Sequence, residues 1–461
     1  MSKQPTRAAR RSFMRSAAAA AATGVAAPMA LNLAATGQAA AATAQDYKAL
    51  VCVFLYGGND NYNTVVPYDL ASYNEYARMR GSLALGHGSL ASHVLNPDNG
   101  LDGGRQFALA PQLTGLHEIW TEGNMGVLMN VGPLVVPTSK ADYASSRVPL
   151  PPKLFSHNDQ QSVWQSLAAE GATTGWGGRM ADLFADANQN QIFTSMSLNG
   201  NAVMLSGEHT VQYQMSPSGP VTLNGQRYDV YRHPAVSQMI EQLVTTNVTG
   251  HQMSEIYSEV ARRSIAANDV LTGAMASVDS FTTAQHTSEL GEQLSRVATV
   301  IAARNQLGMK RQVFFVGLGG FDHHDGLAAN HPVLMKTLDD ALSSFYRTTQ
   351  ELGVADNVTT FTASDFGRTL SGNGDGTDHG WGGHHFMIGG AVKGRSIYGQ
   401  VPELGDDGPD DVGRGRLLPS TSVEQMSATL GSWFGVSNTE LDDIFPRLSE
   451  FSERDLGMFN T

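Results

Sequence analysis

Short, continuous apolar runs separated by helical patterns organise this chain. Leu50-Val51-Cys52-Val53-Phe54-Leu55 ends in a Gly pair, the pattern of a strand buried on both faces. Residues 108–121 repeat apolar positions at helical spacing, Gly123 closes that helix, and Met125-Gly126-Val127-Leu128-Met129-Asn130-Val131 follows as a second strand. This strand–helix–strand succession predicts parallel pairing with a right-handed crossover. After a Pro-rich linker (Pro149, Pro151, Pro152), residues 156–167 predict a helix, and residues 170–235 predict short strands and loops. Residues 254–304 are helical in pattern, with a break at 282–287. Gln312-Val313-Phe314-Phe315-Val316-Gly317 and residues 358–362 are further buried strands on either side of a long amphipathic helix over 331–352, closed by Gly353. Phe386-Met387-Ile388 and a helix over 422–434 complete the pattern. The prediction is an α/β sandwich with a central, largely parallel sheet flanked by helices, and a mid-chain insertion at about 190–305.

The N-terminus departs from this pattern. Arg10-Arg11-Ser12-Phe13-Met14-Arg15 is a twin-arginine motif, followed by an Ala-rich apolar stretch and by small residues at 39–44 that suit cleavage. Residues 1–44 are thus expected to be a twin-arginine signal peptide and 45–461 the mature α/β domain, periplasmic or secreted. Thr23, Gly24 and Pro28 interrupt the stretch, against its persistence as a membrane span. The chain carries −13 at neutral pH, and cleavage would remove Lys3, Arg7, Arg10, Arg11 and Arg15 without removing an acid. So acidic a protein is a poor partner for nucleic acid or an anionic membrane surface. Cys52, the single cysteine, excludes an intramolecular disulfide.

Four turns carry the candidate chemistry: Gly57-Gly58-Asn59-Asp60, Gly320-Phe321-Asp322-His323-His324-Asp325, Ser364-Asp365-Phe366-Gly367-Arg368 and Asp378-His379-Gly380-Trp381. Ligand sites of open α/β sheets lie at the carboxyl ends of the strands, so these acids and imidazoles suggest one convergent polar site. Asp60 could reach a cation above the sheet, although Asn59-Asp60-Asn61 also fits an Asx turn. Asp322 and His324, two apart, could face one ion, and imidazole with carboxylate suits zinc, manganese or iron better than calcium. Asp365 leaves a strand end, and Arg368 could grip an anion bidentately or simply pair with Asp365. Ser156 opens a helix, where backbone amides stabilise anions. With Asp159 it also makes the S-x-x-D spacing of a capping box.

Six segments in this order, Phe54-Leu55-Tyr56-Gly57-Gly58-Asn59-Asp60, Phe155-Ser156-His157-Asn158-Asp159-Gln160, Gly175-Trp176-Gly177-Gly178-Arg179, Gly320-Phe321-Asp322-His323-His324, Asp365-Phe366-Gly367-Arg368-Thr369 and Gly376-Thr377-Asp378-His379-Gly380, resemble the domain of unknown function 1501 family of exported bacterial proteins. That family is similar in fold to the alkaline phosphatase and sulfatase superfamily. The resemblance implies an alkaline-phosphatase-like three-layer sandwich with one or two divalent metals held by Asp60, Asp322, His324, Asp365 and His379, with Ser156 as nucleophile. Superfamily hydrolases commonly place His after the later Asp, where this chain has Phe366, which puts one ligand of a two-metal site in question. The expected function is metal-dependent hydrolysis of phosphate or sulfate esters, on a small anionic ester or a sulfated or phosphorylated glycan, with Arg368 facing the transferred anion. Two alternatives stay open: a non-catalytic envelope or polysaccharide-binding protein with a degenerate metal site, and a transferase or lyase in which Ser156 is only a cap.

Overall fold

The computed structural model describes residues 46–220, 233–246 and 252–460. The twin-arginine segment lies outside these residues. Lys48–Thr461 form one compact unit. In chain order the strands begin with β1 (Lys48–Leu55), β2 (Val65–Pro67), β3 (Val94–Leu95), β4 (Phe107–Leu109) and β5 (Met125–Gly132). Next come β6 (Ser195–Ser197), β7 (Tyr213–Ser216), β8 (Gly219–Pro220), β9 (Arg311–Leu318) and β10 (Val358–Ser364). The last five are β11 (Arg368–Gly372), β12 (Thr377–His379), β13 (Gly383–Ile388), β14 (Ser396–Tyr398) and β15 (Thr421–Ser422).

The main sheet runs β14-β5-β13-β10-β1-β9-β6-β7-β8, with β15 alongside β5. Pairs β1/β10, β1/β9, β6/β9, β6/β7, β14/β5 and β15/β5 are parallel, while β13 is antiparallel to both β10 and β5. The sheet is therefore mixed and mostly parallel, as the uninterrupted apolar runs predict: residues 49–55 of β1 are all buried.

Helices cover both faces. The labelled ones are α1 (Leu70–Arg80), α2 (Thr114–Thr121), α3 (His157–Ser166), α4 (Trp176–Phe184), α5 (Pro234–Thr245), α6 (Gln252–Ala276), α7 (Glu289–Ala302), α8 (Leu327–Glu351) and α9 (Val423–Phe434). One layer joins α2, α7 and α8; the other joins α3, α4 and α9, and α6 packs outside α7. The layers make a three-layer α/β sandwich.

Two local expectations need correction. The helix expected over 108–121 begins only at Thr114, because residues 107–109 form β4 between β2 and β3. Pro111 favours extended backbone just before it and keeps the helix from starting earlier. The parallel pairing expected between β1 and β5 does not occur either: β10 and β13 lie between them. Periodicity identified the central strands β1, β5, β9, β10 and β13, whereas later segments of the chain decide who sits beside whom.

Packing also leaves a titratable core group. Glu424, in the first turn of α9, is buried and accepts from the Arg447 backbone amide at 2.9 Å. Burial pushes its carboxyl up from 4.5 to about 7, against the charges of Arg447 and Arg179. The folded state thus holds a proton that the unfolded chain has released. This stability is fully present below pH 4.5 and is lost as pH rises through 7, by as much as about 3 kcal/mol. Glu424→Gln should match wild type near pH 4.5 and exceed it at pH 8 in urea midpoint. Parallel pH profiles for the two proteins would rule this out.

Candidate metal centre

The parallel register brings the predicted turns together. Leu55 stands opposite both Ser364 and Leu318, so β1, β10 and β9 end at one level. The turns beyond them emerge side by side, where α/β sheets hold their ligands. Gly57 makes the contact possible: it has φ +112, and a Cβ there would lie 2.4 Å from the Asp322 amide nitrogen. The Gly57 amide donates to Asp365 Oδ2 at 3.1 Å, and its carbonyl accepts from Arg368 Nη1 at 3.0 Å.

Three imidazoles converge on one carboxylate. The Nε2 atoms of His324, His379 and His157 lie 3.2, 3.3 and 3.4 Å from Asp322 oxygens. The ligand atoms of His157, Asp322 and His379 all fall within 4.8 Å of one another, a possible three-residue metal site. Each ring has an acceptor behind it, hydrogen-bonded in two of the three. His157 Nδ1 donates to Asp365 Oδ2 at 2.6 Å, His379 Nδ1 donates to the Phe155 carbonyl at 2.7 Å, and His324 Nδ1 faces Asp378 Oδ1 at 3.6 Å. A carbonyl can only accept, so His379 carries its proton on Nδ1 and, when neutral, leaves Nε2 bare. Phe155 reaches that position with φ +71, a conformation that costs a non-glycine residue energy.

The donor set fits a cation. His324 and His379 Nε2 stand 2.9 Å apart, so both cannot carry protons. Bare ring nitrogens directed at a carboxylate repel it unless positive charge lies between them. Ligand atoms around tetrahedral zinc stand about 3.3 Å apart, given bonds of about 2.0–2.1 Å, close to the separations from Asp322. Acceptors behind the rings are the usual support of metal-bound histidine.

The electrostatics agree with these roles at Asp322 and His379. Burial alone would raise the Asp322 carboxyl, but the hydrogen bond and charge of Arg368 hold it below the usual range. Burial pushes His379 down, toward the neutral ligand form. At His157 the direction is opposite: the hydrogen bond to Asp365 raises it, toward the protonated form whose Nε2 faces Asp322 as a donor, so a bound metal would have to displace that proton. Asp322 is 42% exposed, so the cluster is open to solvent and to a substrate.

The other candidates divide. Asp322, His324 and His379 meet, whereas Asp365 stands one step behind. Its Oδ2 takes His157 Nδ1, the Gly57 amide and Gln161 Nε2, while the buried Oδ1 has no partner among the described residues. Phe366 packs against the rings of His157 and His379, with centroids 4.9 and 4.7 Å away, and forms an apolar wall there. Arg368 is fully buried and spends its donors on Asp322, Gly57, and the hydroxyl and carbonyl of Thr377. It braces Asp322, with these donors committed within the protein. Asp60 is fully buried in an ion pair with Arg80 and caps the turn at Asn63. Its other oxygen accepts from Thr377, which links it to Arg368 but keeps it out of the cluster. Ser156 Oγ donates to Asp159 Oδ2 at 2.9 Å and caps no backbone amide.

His157 is the residue sequence reasoning missed. It opens α3 beside Ser156, and its only local signal was membership of the Ser-His-Asn-Asp segment. Conversely, His323, His384 and His385 are buried apart from the cluster; burial pushes the latter two down to about 4 and about 3. Asp378 and His379 lie in a strand, β12, paired with β11, and not in a loose turn.

Comparison with known proteins agrees with the family resemblance. The family model described as "Protein of unknown function (DUF1501)" matches residues 47–445. No curated protein matches the chain. Similar solved structures include a Pseudoalteromonas sulfatase (10% identity, TM-score 0.34, 87% of this chain and 70% of that one). The Listeria monocytogenes lipoteichoic acid synthase is another (7%, 0.32, 86% and 74%). A Bacteroides thetaiotaomicron protein of glycosaminoglycan metabolism is a third (10%, 0.37, 90% and 77%). None of the described helices is long and apolar enough to cross a membrane.

Proposed function

The chain belongs to the DUF1501 family, and on that premise we propose that it is an exported, metal-dependent hydrolase of phosphate or sulfate esters. The observation that carries this reading is the convergence of three imidazole nitrogens on Asp322, with the rings of His157 and His379 hydrogen-bonded from behind. His157, Asp322, His324 and His379 would hold one divalent metal, with zinc, manganese and iron favoured by the ligand chemistry. When bound, such a metal supplies Lewis-acid polarisation of the ester oxygen.

The chain's own groups supply the remainder. Asp365 and the Phe155 carbonyl hold the rings of His157 and His379 in register. Phe366 keeps water from one side of those rings. Ser156 is the proposed nucleophile, its proton passing to Asp159 along their hydrogen bond. Arg414, half exposed and paired with Asp378 at 2.6 Å, offers a cation at the rim for the ester's anionic group. The substrate class is a small anionic ester or a sulfated or phosphorylated glycan. The twin-arginine segment and acidic charge support export to the periplasm or beyond, with no nucleic-acid partner. One observation favours a second reading, a glycan-binding protein without turnover: Phe366 occupies a place where the superfamily commonly has a ligand, and Arg368 is committed to Asp322.

Elemental analysis of the protein from its own host, followed by hydrolysis of p-nitrophenyl phosphate and p-nitrophenyl sulfate with and without chelator, tests the proposal. We expect about one metal per chain and chelator-sensitive release of nitrophenol. Ser156→Ala should keep the metal and lose at least about 10³-fold in kcat. Metal without hydrolysis of any ester tested would end the enzymatic reading, and unchanged turnover in Ser156→Ala would remove the serine from it.

A further inference from the structure

The mid-chain helices α5 and α6 carry an apolar face that no described residue covers. Along α6, Met253, Tyr257, Val260, Ser264, Ala267 and Leu271 recur in steps of four and three, a heptad stripe. Beyond the exposed Ser264 the stripe turns inward: Ala267 and Leu271 are buried, and α6 packs on α7. Its first half is open, with Met253 at 70%, Tyr257 at 62% and Val260 at 50% exposure. Ile256 flanks the open half, and Met239 and Leu243, four apart on α5, add 67% and 79% exposed side chains. Among the described residues, an apolar face of α5 and α6 is thus left uncovered.

We propose that a second copy of this chain covers it, the α5–α6 hairpins of two subunits packing as a four-helix bundle about a twofold axis near Tyr257 and Val260. The six exposed side chains offer on the order of 700 Å² per copy, close to the roughly 800 Å² a standard interface buries on each partner. A closed, isologous contact needs a surface that matches itself, and charge order along α6 supplies it. Glu255 and Glu259 precede Arg262 and Arg263, with Glu259 and Arg263 also paired within the helix at 3.1 Å. Antiparallel copies therefore set acidic turns against basic ones, whereas parallel copies would set like on like. A lipid surface fits less well. Interfacial helices carry Lys and Arg on the polar face, whereas these turns balance acids with bases on a chain of net charge −13.

The test is the mass of the intact protein in solution, by light scattering and sedimentation over about 1–100 µM. Wild type should sediment as a dimer at the upper end of that range. Leu243→Glu with Tyr257→Glu, both on exposed side chains, should give a folded monomer with unchanged melting and weaken association at least 100-fold. Cys52 is buried, so a single introduced thiol reports cleanly. Val260→Cys should cross-link between subunits with a short bismaleimide. Val270→Cys, exposed outside the stripe, should not. A wild-type monomer at every concentration overturns the proposal, as does a dimer that survives the double substitution or cross-links equally through residue 270. None of these readouts depends on whether esters are hydrolysed.

Discussion

Asp322→Asn is expected to abolish tight metal binding and to lower ester hydrolysis by at least about 10³-fold, the scale of removing a group that organises transition-state charge. Asparagine keeps the volume of the side chain and an oxygen for Arg368 Nη1, now 2.7 Å from Asp322 Oδ1. The brace behind the site should therefore survive, and melting should change little. What disappears is the one negative charge among three ring nitrogens. A graded comparison follows from the geometry. Asp365 acts through His157, so Asp365→Asn should cost about 10–100-fold in metal affinity or activity, as loss of support behind a ligand does. Metal titration of both folded variants and the wild type gives the order. Should Asp322→Asn hold one metal with wild-type affinity, these four residues are not the metal centre.

How much of this could be read beforehand depends on how local each cause is. The buried strands were legible because residues 50–55 and 312–317 are apolar without alternation, a property of each segment alone. Because β1, β9 and β10 are parallel neighbours, the placement of Asp322 and Asp365 at strand ends was legible as well. The neighbour of β5 was not, since β13 enters antiparallel from residues 383–388, far along the chain. Within His323-His324, backbone direction after β9 turns one ring into the core and the other to Asp322, and nothing in the two letters distinguishes them. His157 was hidden for a related reason. Its importance rests on Asp365, which only the fold brings within 2.6 Å. Ser156 and Asp159 drew attention through a spacing typical of helix caps, yet the hydroxyl bonds the carboxylate and no amide.

Asp60 is the sharpest case, because a carboxylate at a strand end serves equally as metal ligand or as ion-pair partner. Its partner Arg80 ends α1, and its complete burial depends on tertiary packing. Both side chains are 0% exposed. Burial alone would raise the Asp60 carboxyl, but the Arg80 charge outweighs it, with help from His331 and the Asn63 amide, and holds the group below its usual range. Removing one partner of such a pair leaves an uncompensated charge in the core, so Arg80→Ala should destabilise the protein by about 3–5 kcal/mol. Arg80 also donates to the Thr369 carbonyl at 3.3 Å and lies over the Tyr62 ring, so part of that loss is packing. A second variant separates the two contributions. Asp60→Asn combined with Arg80→Met removes both charges, retains an oxygen to cap Asn63 and refills the space. Buried pairs replaced together are often close to neutral, so the double variant should recover most of the loss in urea unfolding while metal content stays at the wild-type level. If Arg80→Ala instead costs under about 1 kcal/mol, and Asp60→Asn releases metal without loss of stability, then Asp60 belongs to the metal centre, as the resemblance implies.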